Sequence, residues 1–285
     1  LNTAFYTIHP ALPWFLRQRF ARHYDGQAGR STATAALRAW VEAIGKLGNY
    51  YANQFNHGVR DVLHYLALEE ANLLYARRTA RRHGWWDPVT SAMQGLSRLY
   101  QYQGRDSEWS RLVVEITSDF CTCAEAPIPG REEQYTIVME YRVRLARMHE
   151  RDLHRAAVLQ ERLVTWVRQH AAPVLTFPPD SPLDTYQRNC IRTLGVSVFS
   201  LGQIMMEQGS SDCVALYQET ILHSQRIQDT VAEASAHFCT GQAYMLIPSI
   251  RNLDAAEAAC QRSLALFDFS DALARSAAIQ QIGMI

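Results

Sequence analysis

Lysine is almost missing from this chain: Lys46 stands alone among 28 basic residues, and all the others are arginine. The 28 acidic residues cancel them, so the formal net charge is zero and nothing draws the whole molecule to nucleic acid or acidic lipid. Such arginine use fits a GC-rich genome or a surface built for carboxylate pairing, and base composition is the simpler explanation. No run approaches the roughly 18 uninterrupted apolar residues of a membrane span. The first twenty residues do not read as a leader, being broken by His9, Pro10 and Pro13 and carrying Arg17 and Arg19. With 14 glycines and 10 prolines in 285 residues, collagen-like and low-complexity sequence is excluded. Alternating β-branched runs are absent too, so no sheet is expected.

Catalytic signatures are equally scarce. There is no G-x-x-x-x-G-K-[ST] loop to cradle phosphates, no G-x-S-x-G elbow, and no H-E-x-x-H, because His149–Glu150 lacks a second histidine at the required spacing. Glu69 and Glu70 are adjacent, which on a helix aims them about a hundred degrees apart and makes them a poor acid/base pair. The ten histidines are scattered; His57 and His64 lie two turns apart only if Gly58 leaves the helix unbroken. Cys121–Thr122–Cys123 has no second pair at zinc spacing, and Cys190, Cys213, Cys239 and Cys260 sit in helical patterns as small apolar residues. No catalytic residue, metal or cofactor is therefore assigned, and a non-enzymatic protein of the reducing cytoplasm is expected.

What the chain does have is helical periodicity from end to end. After His9–Pro10–Ala11–Leu12–Pro13 and a short helix, a long helix carries Leu37, Trp40, Val41, Ile44 and Leu47 and breaks at Asn56–His57–Gly58. The next carries Val62, Leu66 and Leu73 and stops at Gly84. Further helices are expected at 86–104, from Asp106, at 132–148, 153–171, 184–208, 212–226, 230–246, 253–267 and from 271. The strongest breaker is Phe177–Pro178–Pro179–Asp180–Ser181–Pro182. The chain thus divides into a connecting segment with a short helix (1–30), divergent helical repeats (31–175) and better-formed repeats (183–285). The last helix has no partner, so this sequence is expected to be a piece of a longer protein or to end in a capping helix.

A small residue and an aromatic in one helix, then a polar turn, then an Ala- and Leu-rich second helix recur along the chain, as in Ser97–Tyr100–Gly104–Trp109, Gly202–Gly209–Val214–Tyr217 and Gly241–Tyr244–Ala256–Leu264. Leu201–Gly202–Gln203 with Tyr217–Gln218–Glu219, and Gly241–Gln242–Ala243–Tyr244 with Asp254–Ala255–Ala256, resemble tetratricopeptide repeats, best over 184–285, more weakly over 86–171 and poorly before 60. With its opening segment, the whole chain resembles the repeat region that follows the ATPase core of bacterial STAND-type signalling proteins. The fold expected is all-α, a right-handed solenoid of antiparallel helix pairs with about a dozen helices. Gly202 and Gly241 should lie where the two helices of a pair cross.

The resemblance implies that first helices line a concave groove. The groove-facing positions would then be Gln94, Arg98, Gln101, Tyr141, Met148, Phe199, Gln203, Met206, Phe238, Gln242 and Met245. Amides among aromatics and methionines suit an extended peptide. The implied role is a scaffold or sensor that binds a protein or peptide beside neighbouring domains of a larger chain, with neither membrane nor nucleic acid as partner. The alternative is a receptor that encloses a small molecule or peptide pheromone. A second candidate patch is Arg77, Arg78, Arg81 and Arg82 with His83 and Trp85–Trp86, where cations and aromatics suit phosphates and bases; a helix C-terminus followed by packed indoles explains the same residues.

Overall fold

Side-chain caps and left-handed glycines punctuate the chain where helices begin and end. The computed structural model describes residues 27–178, 181–267 and 272–284, with a few positions between 15 and 23. The segment around His9–Pro13 lies outside the described residues, as does Asp271. Helix α1 spans Gln27–Asn56, α2 Val62–His83, α3 Trp86–Gln103 and α4 Asp106–Phe120. Then come α5 at Glu132–Arg144, α6 at Leu153–Leu175, α7 at Thr185–Glu207 and α8 at Cys213–Ile227. The series closes with α9 at Thr230–Leu246, α10 at Leu253–Leu266 and α11 at Ala272–Ile282. Among the described residues there is no strand beyond one isolated bridge between Cys121 and Pro127. No described helix is long and apolar enough to cross a membrane.

Local chemistry accounts for most boundaries. Gly84 (φ 68°) ends α2, its N–H reaching the carbonyls of Ala80 and Arg81, and Gly104 (φ 66°) ends α3 in the same left-handed state. Asp152, Asp229 and Asn252 cap α6, α9 and α10 by accepting from the third residue on. Asp184 and Gln187 form a reciprocal capping box at α7. Three boundaries differ from expectation. Helix α1 starts at Gln27, running through the Gly/Ser/Thr stretch, because one interior glycine costs only about 1 kcal/mol. Pro173 does not end α6, which continues to Leu175. Finally α5 gives way to a π-helical turn, Leu145–His149, which is capped by Glu150, followed by Arg151 at φ 54°, and leaves no mark in the apolar pattern.

The chain forms two compact units, Leu1–Tyr135 and Thr136–Ile285. In the first, α1, α2 and α3 pack on one another in all three pairings and α4 packs on α3. Leu66, Leu73, Met93 and Leu96 are fully buried there. In the second, α6 through α11 each pack on the next, and α7 also touches α9, the neighbour pattern of a solenoid. The Pro-rich segment at 177–182 connects α6 and α7, which pack directly on each other.

Gly202 and Gly241 lie at helix crossings, as the repeat pattern requires. A Cβ at Gly202 would sit 2.7 Å from Cε1 of Tyr217, and one at Gly241 would sit 2.5 Å from Sγ of Cys260 and 3.1 Å from the Ala256 carbonyl oxygen. Tyr217 is fully buried and anchors a cluster with Cys213, Cys239, Ala243 and Ile247.

Candidate functional site

Three helices of the second unit leave a slot of about 210 Å³ between them. Helix α7 contributes Ile191, Gly195, Val196 and Phe199, α8 contributes Thr220, His223 and Ile227, and the start of α9 contributes Ala232. The space depends partly on Gly195, where a Cβ would already lie 3.6 Å from Cβ of His223. Most hydroxyls in the walls are already used: Thr220 donates to the Leu216 carbonyl oxygen (3.0 Å) and Ser235 to that of Val231 (2.8 Å). The lining is thus apolar in effect, and Val196 stays 47% exposed at its edge.

Charged groups rim the slot. Arg192 Nε lies 3.2 Å from Asp229 Oδ2, while Asp229 Oδ1 accepts the Ala232 N–H that starts α9. On the opposite side His223 Nε2 lies 3.5 Å from Glu219 Oε1, and Arg168 of α6 holds Glu219 Oε2 at 2.6 Å. The His223 ring and then the Arg168 guanidinium hold the Glu219 carboxyl below its ordinary range, outweighing burial. Glu219 is thereby kept anionic beside a half-exposed cation. The site has a charged rim and an apolar interior.

The expected groove residues are distributed differently from a single exposed face. Phe199 reaches the slot, but with Met206 and Phe238 it also packs on the Tyr217 cluster. Tyr141 is 2% exposed and belongs to the core, since the rotation of α5 turns it inward. Gln203 is half-buried and accepts from Arg147 (3.2 Å), which is clamped by Glu207, so its amide oxygen is already engaged. Arg98 donates to Gln101 (3.3 Å), tying two expected groove residues to each other. Met245 accepts from Gln281 (3.4 Å) in α11. Met148, on the π turn, is exposed, while Gln94 and Gln242 are half-buried. Arg192, Val196 and His223 escaped the sequence reading. Gly195, an interior helix glycine with no cap to explain it, was the available signal.

The Arg77–Trp86 cluster is largely internal. Arg77, 2% exposed, donates to Glu115 (2.7 Å), and Arg81 is bonded to Glu115 and Asp119 of α4. His83 stacks on Trp85 with ring centroids 4.4 Å apart. Arg78 and Arg82 stay exposed. Among the described residues no group of three or more His, Cys, Asp or Glu is placed to hold a metal ion. All six cysteines are free thiols, and only Cys123 is exposed.

No protein-family model, curated protein sequence or solved structure matches this chain.

Proposed function

We propose that this chain is a non-enzymatic tetratricopeptide-like scaffold or sensor module, part of a larger bacterial signalling protein, that binds an extended peptide segment of its partner. The observation that carries this reading is the slot between α7, α8 and α9. Its apolar walls have spent hydroxyls, and its volume suits one bulky apolar side chain. The charged rim would orient the peptide backbone around that anchor, because polar rims set register while a buried anchor supplies most of the affinity. The glycine-mediated crossings at Gly202 and Gly241, and the packing of α6 to α11 on their neighbours, support the repeat reading.

The test is selection of random peptides against the whole chain and against a Gly195→Phe variant whose slot is filled. Peptides sharing one bulky apolar residue should be enriched on the parent protein and lost from the variant. Enrichment that is equal on both proteins would move binding away from the slot. No enrichment on either would remove the peptide-binding reading.

A further inference from the structure

The first unit holds a second cavity, of about 540 Å³ and of different chemistry. Its walls include Arg38, Glu42 and Lys46 of α1, Trp85 and Asp87 at the start of α3, and Gln134 of α5. Arg38 and Glu42 neutralise each other, with Nε 2.8 Å from Oε1. Lys46, the only lysine of the chain, is exposed and has no hydrogen bond or ion pair among the described residues. Asp87 lies in the first turn of α3.

Gln134 identifies what is missing. It is 9% exposed, and its Nε2 donates to Asp87 Oδ1. A carboxylate can only accept, so this bond fixes the amide orientation and leaves Gln134 Oε1 as a buried acceptor with no donor. Buried polar atoms are nearly always satisfied, so an acceptor left open beside a carboxylate calls for an N–H donor, best a charged one. The cavity therefore has one unpaired cation, Lys46, and one open acceptor, Gln134 Oε1, beside the Asp87 carboxylate.

The indoles limit the choice of ligand. Trp85 is stacked on His83, and Arg38 lies 5.8 Å over its ring, while Arg131 covers Trp86 at 3.9 Å. Each indole thus already has ring face in use, which disfavours stacking of a nucleobase. We propose that this cavity binds a zwitterionic α-amino compound, a free amino acid or short peptide, with its ammonium on Gln134 and Asp87 and its carboxylate on Lys46. This proposal does not depend on the slot of the second unit.

Titration calorimetry of the whole chain tests it with L-phenylalanine, the dipeptide Gly-Phe, and two single-charge analogues, phenethylamine and 3-phenylpropanoate. At least one zwitterion should bind one to one, and each analogue should bind at least tenfold more weakly. Lys46→Ala, at an exposed position that leaves the fold intact, should weaken the zwitterion tenfold or more and leave phenethylamine unchanged. Gln134→Met should weaken the zwitterion and phenethylamine but not 3-phenylpropanoate; should that variant fail to fold, Lys46→Ala decides. Gly195→Phe should change none of these values. Absence of binding by both zwitterions, equal binding of 3-phenylpropanoate, insensitivity to Lys46→Ala, or preferential binding of adenosine monophosphate would each overturn the proposal.

Discussion

Gly48 and Gly95 meet backbone to backbone: a Cβ added at Gly95 would lie 2.9 Å from Cα of Gly48 and 3.1 Å from its carbonyl oxygen. Helices α1 and α3 can approach this closely only because neither carries a side chain at the crossing. Alanine normally favours a helix by about 1 kcal/mol over glycine. Here the obstacle is backbone, which cannot swing aside, so overpacking of about 1–3 kcal/mol should win. Gly95→Ala is expected to lower the urea midpoint; a raised midpoint would show that the crossing has slack.

The same test in the second unit separates a rigid neighbour from a soft one. Gly241→Leu would drive its side chain into Cys260 and the Ala256 carbonyl, so a loss of about 1–3 kcal/mol is expected in denaturant unfolding. Gly202→Ala presses on the ring of the fully buried Tyr217 and should also destabilise. An unchanged melting temperature for Gly241→Leu would be incompatible with the close crossing.

Thiol reactivity should be confined to one residue. Burial pushes Cys239 up to about 11 and raises Cys213 and Cys260 above their ordinary range, so their thiolates are scarce as well as shielded. In the native protein at pH 8, a thiol reagent should modify Cys123 rapidly and the other five only on unfolding. Two or more fast equivalents would contradict this.

Acid should weaken the first unit through Glu70. Arg105 bonds both of its oxygens (2.8 Å each) and Tyr100 donates at 2.6 Å. The Arg105 bonds hold the Glu70 carboxyl below its ordinary 4.5 despite partial burial. The folded state therefore binds fewer protons than the unfolded one in that range. Stability from this pair is full above about 4.5 and is lost as the pH falls through the lower folded value. Arg105→Met should flatten that part of the stability profile, measured by urea unfolding between pH 3 and 6; an unchanged slope would place the acid sensitivity elsewhere.

Arg77 and Glu115 should respond asymmetrically. Arg77 is buried and only its Nη2 finds an acceptor, whereas Glu115 is partly exposed and keeps Arg81 as a second partner. Glu115→Gln weakens the one charge partner of a buried guanidinium among the described residues and should cost about 1–3 kcal/mol. Arg77→Met removes the buried charge itself and should be near neutral. Equal losses in the two variants would argue against this asymmetry.

Helical character and most boundaries were legible in the sequence, because they depend on spacing within a few turns, whereas the Gly202 and Gly241 crossings were expected only from the resemblance to tetratricopeptide repeats. The 3.6-residue apolar period, glycines that admit positive φ, and Asp or Asn caps act locally, and no distant residue is needed to read them. Which polar groups remain available for a ligand was decided by tertiary structure alone. Gln203 looks free on its helix until Arg147, presented by an unforeseen π turn, bonds it, and Tyr141 looks like a groove residue until α5 turns it into the core. The slot beside Gly195 and the open acceptor of Gln134 exist because side chains far apart in sequence enclose a space, and the outcome depends on the relative rotation and approach of helices to within an ångström. A periodic pattern specifies which face of a helix is apolar, but not which neighbour that face meets or what space is left between them.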